Sequence, residues 1–189
     1  MILYLTIILC AMLAIALSVS LALGAGFWGI LGYTACAVVL VMLLDAVVAT
    51  ASRLLPAKFA DHEKKIFKVG AKEKKFYEKL KIRKWKDKVP EIGQFTGFRK
   101  NKLDEPKSVE YLDRFLLESC YGEIVHFFSV IFGFLLVVPY GITPAWIAIS
   151  LPVACVNALM NIPSFCILRY NSYKLGILSQ SIKKKQSDA

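Results

Sequence analysis

The chain has 189 residues, 57% of them hydrophobic, with 24 Lys and Arg against 14 Asp and Glu. That much apolar material cannot be enclosed in one small soluble core, so the composition excludes an ordinary cytosolic domain and reads as an integral membrane protein. The net charge of +10 suits anionic lipid or nucleic acid, and its distribution along the chain decides between them.

In chain order, the first long apolar run is Ile2 to Leu23 and the second is Phe27 to Thr50. Each is long enough for a hydrocarbon layer of about 30 Å, which takes about 20 helical residues. Only Gly24, Ala25 and Gly26 separate them, so residues 1–50 read as a transmembrane hairpin. A cleaved signal peptide ending near Gly24 is the rival reading, but there is no basic n-region and the apolar run exceeds a usual h-region. Asp45 lies inside the second run near its end; an acid there is either a partner for a site or an interface residue.

Residues 51–123 are the one sizeable polar segment and hold 19 of the 24 basic residues. From Asp61 to Trp85, apolar and aromatic residues such as Phe67, Phe76, Tyr77 and Ile82 alternate with Lys and Arg, which predicts one or two amphipathic helices lying at a lipid surface. Most of these cations serve as anchors to anionic headgroups, or some of them, Arg83, Lys84 and Lys86 beside Trp85, collect a phosphate-bearing substrate. Nucleic acid is excluded as the partner because no binding motif is present and the aromatics adjoin a membrane. Pro90, Gly93, Gly97 and Pro106 then predict a loop, after which Ser108 is a fitting N-cap for a helix entering the third span.

Residues 124–168 read as a second transmembrane hairpin, roughly Ile124 to Ile142 and Pro144 to Leu168, turning around Gly141, Thr143 and Pro144, with kinks at Pro139, Pro152 and Pro163. A basic tail, 169–189, follows. No Lys or Arg lies at either hairpin tip, so both termini and the central basic segment are expected on the cytoplasmic side of a multi-pass cell-membrane protein. The fold class is therefore all-α, with four transmembrane helices in two hairpins joined by a basic amphipathic segment.

The candidate site lies where charge meets these spans. Glu118, Glu123 and His126 fall within an arc of about 140° if the helix continues through Gly122, and Glu123 and His126 are only about 60° apart. A glutamate accepting from one ring nitrogen leaves the other as a proton acceptor; the plainer reading is that both glutamates pair with local cations. Asn157 and Asn161 stack four apart on the last span, where an amide needs a bond to a neighbouring helix. Arg169, Tyr170 and Asn171 emerge beyond them. The five cysteines are scattered, with no CxxC pair, so no metal site and no disulfide framework is expected. No Walker loop, dinucleotide fingerprint or nucleophile elbow occurs.

Three stretches, KFYEKLKIRKWKDKVP from Lys75, the glutamates and histidine at 118, 123 and 126, and NIPSFCILRYNSYKL from Asn161, resemble in order and spacing the glycosyl-4,4'-diaponeurosporenoate acyltransferase family, small membrane enzymes of the last step of staphyloxanthin synthesis. The resemblance covers about Lys64 to Leu175. It implies transfer of a fatty acyl group to a sugar hydroxyl of a glycolipid-like carotenoid. Combined with the residues, it leads us to expect His126 as base, Glu123 as its orienter and Glu118 as support. Arg169, Tyr170, Asn171 and Asn161, with Arg83, Lys84, Trp85 and Lys86, would then bind substrate. The expected partners are membrane lipid, an acyl thioester such as acyl-coenzyme A as donor, and a lipid-linked sugar acceptor, with no tightly bound cofactor. A lipid reductase or methyltransferase, or a non-enzymatic lipid-binding or assembly protein, are the competing classes.

Overall fold

A computed structural model describes residues 2–89, 105–138 and 144–187. The described residues hold helices and turns and no strand. Six α-helices follow in order: α1 Ile2–Leu23, α2 Phe27–Arg53, α3 Ala71–Lys79, α4 Ile82–Trp85, α5 Val109–Leu135 and α6 Pro144–Ser187. Four of them, α1, α2, α5 and α6, are long and apolar enough to cross a membrane. The predicted loop around Pro90, Gly93 and Gly97, the turn at Gly141 and Thr143, and the kink at Pro139 lie outside the described residues. Pro152 and Pro163 fall within α6, which is helical through both. Neighbouring helices and local adjustment let transmembrane helices absorb a missing N–H in this way.

The chain divides into two compact units, one of residues 1–51 and 125–162 and the other of 52–124 and 163–189. In the first unit, α1 ends where Gly24 takes a left-handed φ of 59°, and the Ala25 N–H reaches back to the Ser20 carbonyl at 3.1 Å. That six-to-one bond with a glycine just past the helix end is a Schellman cap. The Ser20 hydroxyl closes the same turn by donating to the Ala25 carbonyl at 2.6 Å. The turn needs no further loop because those bonds satisfy the end of α1 locally. Small side chains then let helices approach: Ala16 and Ala37 are fully buried among Val19, Ile30, Val41 and Val153. A Cβ on Gly133 would lie 2.6 Å from the Asn157 amide nitrogen. Leu3, Leu13, Leu21, Trp28 and Val47 remain exposed on α1 and α2, a face that only a hydrocarbon solvent accommodates.

The second unit is built by the amino-terminal part of α5 and the carboxy-terminal part of α6. Ser108 caps α5, its hydroxyl accepting from the Tyr111 N–H at 3.2 Å, as the sequence predicts. Leu112, Phe115 and Leu116 pack with Leu175 of α6. Asp113 accepts from Ser179 at 3.0 Å and pairs with Lys183 at 2.8 Å. On the other side α3 and α4 contribute Tyr77 and Ile82 to a cluster with Ile167 and Tyr170. The predicted helices between Asp61 and Trp85 are thus present, as two short ones.

Gly24→Ala should destabilise the chain by about 1 kcal/mol, because a left-handed φ disfavours any Cβ. Gly32→Ala, in open space within α2, should be neutral or stabilising. Denaturant titration of the two variants in one detergent gives the comparison, and equal loss in both would remove the cap from this account.

Candidate active site

Two polar clusters stand out, one in each unit. In the first unit the apolar helices α2, α5 and α6 each present one or more groups that need a partner. Asn157 donates to the Ser129 carbonyl at 3.1 Å, and Asn161 donates to the Asn157 side-chain oxygen at 2.9 Å and its carbonyl at 3.1 Å. The same amide nitrogen faces Asp45 Oδ2 at 3.4 Å. With its nitrogen engaged on that side, Asn161 presents Oδ1 to His126 Nδ1 at 2.8 Å. An amide oxygen can only accept, so Nδ1 carries the proton and Nε2 is the proton-accepting nitrogen of the neutral ring. The second oxygen of Asp45 is buried with no hydrogen-bond partner among the described residues.

In the second unit the guanidinium of Arg169, 8% exposed, is surrounded by acceptors. Its Nε and Nη2 grip the two oxygens of Glu73, each at 2.8 Å. Nη1 donates to the Ile66 carbonyl at 2.9 Å and to Glu123 Oε2 at 3.1 Å. Glu123, 3% exposed, accepts also from the Ser172 hydroxyl at 3.0 Å, and Glu73 accepts from the Tyr77 hydroxyl at 2.7 Å. Burial alone would raise the Glu73 carboxyl; the hydrogen bonds from Arg169 and Tyr77, with the guanidinium charge, outweigh it and carry it below its usual range. Tyr77 moves the other way, raised by burial and then by its bond to Glu73.

This geometry redistributes the residues singled out by sequence. Glu123, expected to accept from the ring of His126, instead accepts from Arg169 and Ser172, and the partner of His126 Nδ1 is Asn161. A buried guanidinium is a stronger claim on a carboxylate than a neutral imidazole. Glu118 pairs with Arg53 at 2.5 Å. Tyr170 is a buried member of the α3–α4 cluster and has Lys174 over its ring at 4.6 Å. Asn171 is buried. Arg83 and Lys84 are exposed and Lys86 half-buried, while Trp85 donates to the Leu80 carbonyl at 3.0 Å. Among the described residues no group of His, Cys, Asp and Glu is arranged to hold a metal ion. Glu73, Tyr77 and Ser172 were missed. Glu73 and Tyr77 are four apart, the spacing of helical partners, but nothing local marks Arg169 as their destination 96 residues later.

Because the folded carboxyl of Glu73 is held below its ordinary value of 4.5, its stabilisation is complete above that pH and is lost as pH falls through the lower folded value. Glu73→Gln should therefore flatten the acid limb of the unfolding profile, and an unchanged limb would count against the pairing. Arg169→Met should cost about 3–5 kcal/mol, the usual effect of leaving a buried charge unpaired, and adding Glu123→Gln should restore part of it. Limited proteolysis in detergent across pH reports both.

The residues that build these clusters also locate the chain among known proteins. No curated protein and no solved structure matches it. The family described as glycosyl-4,4'-diaponeurosporenoate acyltransferase matches residues 57–180, a stretch that includes Glu73, Glu123, His126, Asn161, Arg169 and Ser172. That match spans well over half of the chain, which therefore belongs to the glycosyl-4,4'-diaponeurosporenoate acyltransferase family and is a membrane acyltransferase.

Proposed function

We propose that this acyltransferase moves a fatty acyl group from a thioester, acyl-coenzyme A or an equivalent carrier, to a sugar hydroxyl of a glycosylated lipid-linked acceptor, with His126 as the base. The observation that supports the reading is the His126–Asn161 bond at 2.8 Å, since an accepting amide oxygen directs the proton to Nδ1 and makes Nε2 the basic nitrogen of the ring. In the step, Nε2 takes the hydroxyl proton as the acceptor oxygen attacks the thioester carbonyl. The tetrahedral intermediate collapses with cleavage of the carbon–sulfur bond, and the imidazolium returns the proton to the departing thiolate. Acceptor ester and free thiol are the products. A positioned base of this kind contributes about 10²–10⁴ in rate.

In this reading Asn161 is the orienter, the role that sequence spacing alone suggests for Glu123. Asp45 supports the same orientation: a flipped Asn161 amide would turn its oxygen toward a carboxylate, whereas the present one turns a donor toward it. Glu123 and Arg169 position α3, α5 and α6 within their own unit. Arg83 and Lys84, whose charges remain at the surface, are the cations for donor phosphates. The distribution of Lys and Arg supports placing both termini and the segment after α2 on the cytoplasmic side, where a coenzyme A thioester is met.

With labelled acyl-coenzyme A and a panel of glycolipids, His126→Ala should lower kcat/KM by at least about a hundredfold. Asn161→Leu should lower kcat with little effect on KM, and Arg83→Ala together with Lys84→Ala should raise the KM for the donor and leave kcat. Undiminished transfer by His126→Ala protein that remains folded would sink the base assignment.

A further inference from the structure

Within the second unit, α3 is held by one face. On a helical wheel Glu73, Tyr77 and Lys74 fall within an arc of about 100°, and each is engaged. Both oxygens of Glu73 are gripped by Arg169 at 2.8 Å, Tyr77 is buried with Ile167 and Tyr170, and Lys74 lies over the Tyr173 ring at 5.5 Å. Lys72, Lys75, Phe76 and Lys79 occupy a second arc of about 100° on the opposite side, and all four are exposed. Phe76 is 55% exposed, and Leu80, just past the helix, is 44% exposed. Neither acid of α3 offsets these lysines, because Glu73 is committed to Arg169 and Glu78 pairs with Lys74 at 3.3 Å. Among the described residues no acid pairs with Lys72, Lys75 or Lys79.

We infer that this outer face of α3 is a binding site for anionic phospholipid, with Phe76 entering the headgroup layer and Lys72, Lys75 and Lys79 pairing with lipid phosphates. Three observations favour a charged lipid surface over other occupants. The face carries three cations and no acid, so its partner is anionic. The exposed ring and Leu80 need an apolar medium as well, which a soluble phosphate does not supply; an aromatic ring at headgroup depth has both. Phe59, exposed in the same unit, has Lys58 and Lys64 over its ring at 5.4 and 5.3 Å, whereas no cation covers Phe76 among the described residues. Finally, only residues 54–70 separate α3 from the end of the candidate span α2 at Arg53. That short tether presents the headgroup layer to α3 at high effective concentration.

Folding thus divides the apolar residues of this basic stretch. Phe67, Tyr77 and Ile82 are buried within the unit, while Phe76 stays outside between lysines whose long stems follow it into the interface. A zwitterionic headgroup offers a phosphate but brings its own cation, so the face selects lipids of net negative charge. The inference goes beyond the proposed transfer reaction and does not depend on the identity of its base or substrates.

Photocrosslinking of the full chain in nanodiscs tests this. The discs hold phosphatidylcholine with a minority of phosphatidylglycerol, the photoreactive substitution is Phe76→benzoylphenylalanine, and the adducts are identified by mass spectrometry. Phosphatidylglycerol should be enriched among the lipid adducts by at least about fivefold over its share of the disc, the factor that one lysine near the surface contributes. The same substitution at Leu21, exposed on α1, should return the bulk lipid ratio. Combining Lys72→Gln, Lys75→Gln and Lys79→Gln should abolish the enrichment, and so should molar salt, which screens exposed charges within about 3 Å. Glutamine keeps the helix propensity of lysine, and the changes lie opposite the Arg169 grip, so limited proteolysis should find the variant folded. Adducts at position 76 in the bulk ratio, or enrichment that survives the triple variant, would overturn the site. Adducts with added acyl-coenzyme A in place of lipid would give the face to the free donor, and adducts with a second copy of the chain would make it a protein interface; either result also rejects the lipid site. Crosslinking needs no turnover, so failure of the His126 base would appear separately from failure of this site.

Discussion

A polar side chain on a helix solvated by hydrocarbon has no water to fall back on, so its hydrogen bond must come from another helix. This constraint sets the position of nearly every residue of interest here. Asn157 and Asn161 on α6 find the Ser129 carbonyl, Asp45 and His126. Arg169, farther along the same helix, finds Glu73, Glu123 and the Ile66 carbonyl. The apolar surfaces between these points are permissive by comparison, since Leu against Leu and Leu against lipid differ little in energy.

The two clusters solve the same problem with different chemistry. Around Arg169 full charges are matched by full charges in a bidentate grip, an arrangement whose value lies in fixing geometry and whose disruption leaves a buried charge exposed to an apolar interior. At His126 Nδ1 the partner is the Asn161 amide, and an amide has direction: it donates at one end and accepts at the other. A chain of directional bonds from Asp45 to Asn161 to His126 therefore carries a preference for one tautomer, which a simple ion pair does not. A base that must take a proton and return it within one catalytic cycle benefits from that preference, whereas a structural clamp benefits from charge.

Much of this was legible in the residues. Periodicity and length predict α1, α2, α5 and the apolar part of α6, because a membrane-spanning helix must be continuous and apolar for about 20 residues whatever it packs against. The Ser108 cap, the short amphipathic helices before Trp85 and the stacking of Asn157 on Asn161 are local relations, settled within a turn or two of helix. The grouping of Lys75–Pro90, Glu118–His126 and Asn161–Leu175 was enough to suggest the family. The match over 57–180 then established that family, although the hairpin carrying Asp45 lies outside it.

What the sequence determined by itself is the set of groups that would need partners and the apolar lengths that make the need acute. Only the tertiary structure decided which partner each group takes. Glu123 and His126 are three residues apart, and helical geometry alone permits them to pair; Arg169 and Asn161, 46 and 35 residues away along the chain, take them instead. Glu73 meets Arg169 across 96 residues. A buried guanidinium draws carboxylates from wherever the fold can supply them, and an amide fixed on one side fixes its oxygen on the other. Those choices are made by competition among all the groups that packing brings together, and spacing along one helix records only the nearest competitor.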